Sequence, residues 1–365
     1  MLVVSALAGG CATAERAPDP GAGMIGAAPE TPRELPGVVL SGRHGALGGQ
    51  FHVTVAASDS AAARAALEAA FSVGDSIEGL MSLYVAGSEV NRINAAAGRE
   101  PVQVSPWTEQ VVAATLEWAE KSEGAFDPTV GPVADLWGFG RSATPTPDVD
   151  SLAAAKRLVG WQKVRHDPAV HTVYLTLAGM VLDLRSANKG FALDRMREAM
   201  VAEGATSGIA EIGGDMLFFG PGTGPTPDRW SISLPDPYEP GSSYVQFNLP
   251  PGSVSTSAAL NRAIVIRGER FGHLIDPRTG RPVQGLASVS VYSPNGMTSD
   301  IAATALYVLG SRDGPKYVAR WADVDAVFVT EPPAGNRSVV IVTSGLDDYQ
   351  RMLDTPYRPA TAEER

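Results

Sequence analysis

The sequence predicts an α+β fold, with mixed or antiparallel sheets and packed helices. Two features carry that reading. Helix-type and strand-type segments do not alternate one for one, as a doubly wound parallel sheet requires. After residue 204, strand-type runs follow one another across short gaps, the spacing of hairpins.

The elements follow in order. Gln50 to Ala57 (QFHVTVAA) has the β-branched alternation of a strand. Asp59 and Ser60 are good N-caps for the Ala-rich helix after it. Leu67, Ala70, Phe71, Gly74, Ile77 and Met81 fall on one stripe of that helix. Ser105-Pro106 starts a second helix, with Val112, Leu116 and Ala119 inward and Gly124 as its stop. Asp150-Ser151 caps a third, short one. Val173 to Leu177 and Val181 to Leu184 read as a hairpin around Ala178-Gly179. Lys189 to Glu203 is a fourth helix, ending at Gly204. Strands are then expected at 208–212, 216–219, 230–234, 244–249, 263–267 and 287–292. Ser299 to Leu309 is an amphipathic helix, and 326–329 and 338–342 are late strands.

Composition excludes several functions. Forty acidic residues against 29 basic ones give a net charge of −11, which argues against nucleic acid as a partner. A single cysteine allows neither an internal disulfide nor a Cys-based zinc site. No apolar run approaches the roughly 20 residues that span a bilayer.

Met1 to Gly10 is apolar and small, and Ala8-Gly9-Gly10-Cys11 resembles a bacterial lipoprotein box, in which the cysteine is acylated after cleavage. Residues 12–35, rich in Ala, Pro and Gly, read as a flexible tether. One catalytic domain is expected over 36–355, with a C-terminal tail over 356–365. Such a layout suits a domain held at a membrane surface.

Nucleotide-loop, zincin and hydrolase signatures do not occur in the chain. Of five histidines, His44, His52, His166 and His171 sit in ordinary strand or loop contexts. His273 differs: it lies in Phe271-Gly-His273-Leu274-Ile-Asp276-Pro-Arg-Thr-Gly280, before a Pro and Gly turn. Gly213-Gly214-Asp215 follows a strand, and its glycines permit close backbone approach to a ligand, although on this feature alone an ordinary turn is the preferred reading. Asp300 and Thr304 stand four apart at a helix start, so both oxygens share one face. A hard cation such as Mg²⁺ accepts that set. By spacing alone, a plain helix cap at Asp300 is the preferred reading.

Read in order, these segments resemble the FAD:protein FMN transferases, the ApbE-type flavin transferases. The resemblance runs from about Leu47 to Gly310. It rests on Ser82-Leu-Tyr84, Ser88-Glu89-Val-Asn-Arg92-Ile-Asn94, and Gly124-Ala125-Phe126-Asp127-Pro128-Thr129-Val130-Gly131-Pro132 with Leu136-Trp137-Gly138-Phe139-Gly140. Leu182-Asp183-Leu184 leading to Lys189-Gly190-Phe191-Ala192-Leu193-Asp194 adds to it, as do 212–215, 273–280 and 300–304. The resemblance implies transfer of the FMN part of FAD to a Thr or Ser hydroxyl of a target protein, with AMP released. It implies Mg²⁺ held by Asp300, Thr304 and an oxygen at Ser186. His273 would be the base and Asp276 would orient its segment. FAD would contact Leu47, Tyr84, Ala125, Phe126, Asp127, Asp183, Lys189 and the backbone near Leu274. The implied partner is a membrane redox subunit, met at the periplasmic face of the bacterial inner membrane. Hydrolysis of FAD to FMN and AMP, or flavin binding without catalysis, are the alternatives. Arg185 and Asn188 are bulkier than the family's usual residues between Asp183 and Lys189.

Overall fold

A nine-stranded sheet carries three long helices on one face and a smaller sheet on the other. The computed structural model describes residues 33–139, 146–239, 241–258, 264–266, 269–332, 338–352 and 357–360. All of these belong to one unit, residues 32–365. The apolar leader, Cys11 and most of the expected tether lie outside the described residues, as do Gly140, Ala263 and Arg267.

The sheet runs Val38–Ala46, Gly49–Ala57, Ala205–Ile212, Asp215–Phe219, Gly252–Ala258, Leu286–Ser293, Asp325–Thr330, Val339–Val342, Arg358–Pro359. Neighbours are antiparallel except the last pair, which is parallel. Its last strand thus comes from the stretch 356–365, read from sequence as a tail. Strand Asp325–Thr330 is apolar on both faces because both are covered. Ala326 and Phe328 face the helices, whereas Val327 and Val329 face the small sheet. That small sheet, ordered Gln350–Met352, Ser243–Leu249, Trp230–Pro235, packs Trp230, Ile232, Tyr244 and Phe247 against it. Each such side chain contributes about 1.5–3 kcal/mol when fully buried.

The helices are α1 (Ser60–Met81), α2 (Glu89–Ala95), α3 (Pro106–Lys121), α4 (Gly131–Trp137), α5 (Val149–Lys156), α6 (Asn188–Ala202) and α7 (Gly296–Val318). Helix α6 lies between α1 and α7 on the sheet. Asp59 caps α1 as expected, accepting the N–H groups of Ala61 and Ala62. Its stripe is rotated from the expected one: Ala63 and Ala66 are buried while Leu67 and Phe71 are half-buried. Helix α3 likewise buries Val111 and Trp118, leaving Leu116 half-buried. Helix α5 is capped by Asp148, not Asp150, which sits in its first turn. Helix α7 starts three residues earlier than expected and breaks at Gly310 (φ 79°, ψ 173°) before continuing to Val318.

The hairpin expected over 173–184 does not form. Thr172–Leu175 pairs instead with Val102–Gln103 on one side and Val164–Asp167 on the other. Residues 180–184 are extended, with Met180, Leu182 and Leu184 buried, which explains the alternation. Leu182 and Asp183 find backbone partners without a neighbouring strand. Asn94 on α2 accepts the Leu182 N–H at 2.7 Å and donates to the Leu182 carbonyl at 3.0 Å. The Asp183 N–H donates to the Pro128 carbonyl at 2.8 Å. We expect Asn94→Ala to strand both Leu182 groups and cost about 2–4 kcal/mol, read as a lowered denaturation midpoint. A midpoint equal to the parent's would refute this role.

Candidate active site

The site grows from the crossing of α6 and α7. No side chain separates them there: a Cβ on Gly190 would lie 2.1 Å from the Gly296 carbonyl oxygen. Asp194, one turn along α6, accepts the N–H groups of Gly296 and Met297 at 2.8 and 2.9 Å, so α6 also caps α7. Asn295 is the formal cap, accepting the Thr298 N–H. Asp300 is therefore not a cap. Its buried carboxylate turns back across the crossing, where Oδ2 accepts the Gly190 N–H at 3.0 Å.

Lys189 precedes that glycine. Its ammonium contacts the Asp215 carboxylate and lies 3.9 Å from Asp300 Oδ1. Burial pushes the Asp300 carboxyl above its ordinary value, while the Lys189 charge and the Gly190 N–H oppose that shift. One turn beyond Asp300, Thr304 Oγ1 is 3.5 Å from Ser257 Oγ. The same strand buries Ser253 and Ser255 against Ser299. Ser186 is half-buried just before α6.

A second group adjoins the first along the chain. Arg185 forks onto Asp183 through Nε and Nη2 and donates from Nη1 to the Tyr84 hydroxyl at 3.3 Å. Tyr84 is 78% exposed, on a turn fixed by Asn91. The Asn91 amide donates to the carbonyls of Leu83 and Val85. Asp127 faces inward: it accepts the Thr129 N–H and hydroxyl and the Trp161 N–H. Burial raises its carboxyl above the ordinary value. These bonds tie the loop 125–129 to residue 161, with Ala125 and Phe126 buried beside it.

Leu47 and the 273–280 segment come from elsewhere in the fold. Leu47 sits at a hairpin tip with φ 53° and donates its N–H to Glu78 at 3.0 Å. His273 and Leu274 precede a short ribbon, Ile275–Asp276 with Arg281–Pro282. Asp276 accepts the backbone and guanidinium of Arg278, which shapes the turn. Trp137 braces it from α4, donating Nε1–H to the Gly280 carbonyl at 2.9 Å, and Lys156 donates to the Arg278 carbonyl.

The family model described as the ApbE family matches residues 47–328. This chain belongs to the ApbE family. It is 31% identical over 306 residues to the FAD:protein FMN transferase of Treponema pallidum (strain Nichols), covering 80% of this chain and 83% of that protein. It is 30% identical over 285 residues to the FAD:protein FMN transferase of Klebsiella pneumoniae (strain 342), covering 76% and 86%. The crystal structure of the ApbE protein of Thermotoga maritima superposes with a TM-score of 0.75 at 29% identity, over 84% of this chain and 98% of that one. The flavin transferase ApbE of Vibrio cholerae gives 0.73 at 25% identity, over 86% and 100%.

For an ApbE-family chain the motifs now divide by job. The Ser88–Asn94 segment is scaffold: Ser88 caps α2, Asn91 and Asn94 hold neighbouring backbone, and Glu89 accepts the Ser105 N–H and hydroxyl at the start of α3. Asp215 and Ser257 were not among the site residues expected from sequence, yet they touch Lys189 and Thr304. The signal for Asp215 was its place directly after two glycines.

The donor set suits a hard cation. Asp300, Thr304 and Ser186 offer only oxygen, with Asp300 as the carboxylate and the Ser257 hydroxyl beside Thr304, and Mg²⁺ commonly takes one or two carboxylates plus waters and substrate phosphate.

Gly190→Ala places a methyl against the Gly296 carbonyl at 2.1 Å and the Asp300 Cβ at 2.8 Å. Backbone cannot yield that much locally, so the helices must part. We expect a loss of about 3 kcal/mol or more, measured by denaturant unfolding. Parent-like stability would refute the tight crossing.

Proposed function

We propose that this chain transfers the FMN moiety of FAD to a Thr or Ser hydroxyl of a redox protein, releasing AMP. The observation that carries it is the span of the family match, residues 47–328, which contains every candidate site residue from Leu47 to Thr304. Two relatives at 30–31% identity are themselves FAD:protein FMN transferases.

In this reading the acceptor oxygen attacks the FMN-side phosphorus as the bond to the AMP phosphate breaks. His273 takes the hydroxyl proton, and Asp276 keeps the His273 segment in its turn. Lys189, at the first turn of α6, faces the pyrophosphate. Tyr84 and Asp183, joined through Arg185, flank the flavin nucleotide together with Leu47, the 125–127 loop and the backbone near Leu274. Asp300, Thr304 and an oxygen of Ser186 hold the cation. Bound Mg²⁺ supplies charge neutralisation on the pyrophosphate.

The test is incubation with FAD and Mg²⁺, with and without candidate acceptors. AMP release matched by flavin on the acceptor is expected. AMP and free FMN without any acceptor requirement means hydrolysis, and neither product, with FAD nonetheless retained by the protein, means a flavin-binding protein.

The same proposal places the domain at the periplasmic face of a bacterial inner membrane, anchored through acylated Cys11, near a membrane redox subunit. The support is the sequence Ala8-Gly9-Gly10-Cys11 and the Ala/Pro/Gly-rich stretch after it. One acyl chain binds a membrane only marginally, so stable anchoring needs a second. Cys11→Ala should move the protein from the membrane to the soluble fraction. If parent and variant both fractionate as soluble, the anchor is wrong and the chemistry is untouched.

A further inference from the structure

We propose that Asp215 is a positioning residue: its buried carboxylate holds the Lys189 ammonium off Asp300, keeping Asp300 Oδ1 open to a divalent cation. This rests on the reading of Asp300 as a cation ligand.

The three groups have distinct assignments. Asp300 Oδ2 is committed to the Gly190 N–H at 3.0 Å. Asp300 Oδ1 faces the Lys189 ammonium at 3.9 Å, beyond hydrogen-bond distance. The ammonium contacts Asp215 Oδ2 instead. Asp215 is itself fixed. It opens a strand directly after the Gly213-Gly214 turn, whose residues have φ 59° and 93°. Its other oxygen accepts the Thr256 N–H at 3.3 Å, and its side chain is 2% exposed.

Two buried carboxylates therefore compete for one lysine, and Asp215 has it. Attraction between unit charges strengthens steeply as water is excluded. Without the Asp215 charge, the ammonium has a single buried carboxylate within reach and closes onto Asp300 Oδ1. An incoming cation then has to displace the protein's own lysine. A simpler role, in which Asp215 only adds negative charge, predicts independent effects of the two residues. The positioning role predicts coupling between them, which a double-mutant cycle measures.

The experiment uses the full chain without FAD and Mn²⁺ as probe, with free Mn²⁺ followed by electron paramagnetic resonance. Asp215→Asn keeps an acceptor for the Thr256 N–H, and it should weaken Mn²⁺ binding about tenfold or more. Lys189→Met should restore binding in the Asp215→Asn background by a factor about tenfold larger than its effect in the parent. A metal-free crystal structure of Asp215→Asn should show the ammonium within hydrogen-bond distance of Asp300 Oδ1. Should Asp215→Asn not fold, Asp215→Ser is read in the same way. Unchanged Mn²⁺ affinity, equal effects of Lys189→Met in both backgrounds, or an ammonium still held away from Asp300 overturns the inference. A parent that binds no Mn²⁺ overturns the cation site and this inference with it, whereas a binding parent with an equal variant overturns this inference alone.

Discussion

Asp300→Asn is expected to abolish Mg²⁺ dependence and lower turnover by at least about 10³-fold, the scale of several kcal/mol of lost charge stabilisation. The amide keeps an oxygen for the Gly190 N–H, so the helix crossing stays intact. What is lost is the negative charge, and with it the carboxylate oxygen that faces Lys189. Stability separates this from a folding defect. Burial already disfavours the ionised Asp300, so at neutral pH that charge works against the folded state. The metal-free variant should therefore unfold no earlier than the parent. Mg²⁺ should raise the melting temperature of the parent and leave the variant unmoved. Full Mg²⁺-dependent turnover in the variant would remove Asp300 from the cation site.

His273→Ala should slow transfer by about 10²–10⁴-fold while FAD binding is spared, the span of a lost general base. The segment has supports other than the imidazole. The Ile275–Asp276 and Arg281–Pro282 ribbon, the Val283 N–H to the Leu274 carbonyl, and the Trp137 brace all remain. Single-turnover AMP release and an FAD titration read the two effects separately. Equal losses in binding and rate would mean that His273 contacts the nucleotide rather than the acceptor hydroxyl.

Much of the fold was legible because it follows from local pattern. Asp59 and Ser105 are caps with a helix behind them, and Val339–Val342 is an apolar run between breakers. The extended segment 180–184 shows where pattern stops. Its alternation reports burial, and burial does not say whether a strand or an asparagine side chain supplies the hydrogen bonds. Helix α2 was missed because seven residues with two buried apolar positions hold too little periodicity. Edge strand Val38–Ala46 was missed because its inward face carries Gly42 and His44, which break the apolar alternation.

The site divides in the same way. Asp300 and Thr304 were readable as a pair because helical spacing places them together. The contacts of Lys189 with Asp215, and of Asp194 with α7, join residues brought near only by tertiary folding. Family resemblance named Asp127, and the structure shows its carboxylate spent on Thr129 and Trp161, which no spacing rule foretells.

The α6–α7 crossing also sets when in the life of the chain this chemistry can begin. The Gly190–Asp300 hydrogen bond spans 110 residues and the Asp194–Gly296 bond 102. Contacts that distant bear a large loop-closure entropy and tend to form late. A nascent chain that has emerged from the ribosome only as far as residue 290 carries Lys189, Asp215 and the 273–280 turn, but not the carboxylate at position 300. On the proposed cation site, divalent-cation binding would report synthesis through α7 and closure of the crossing. Ribosome-stalled chains ending before and after α7 should differ in Mn²⁺ binding as a step, with no gradual rise between them.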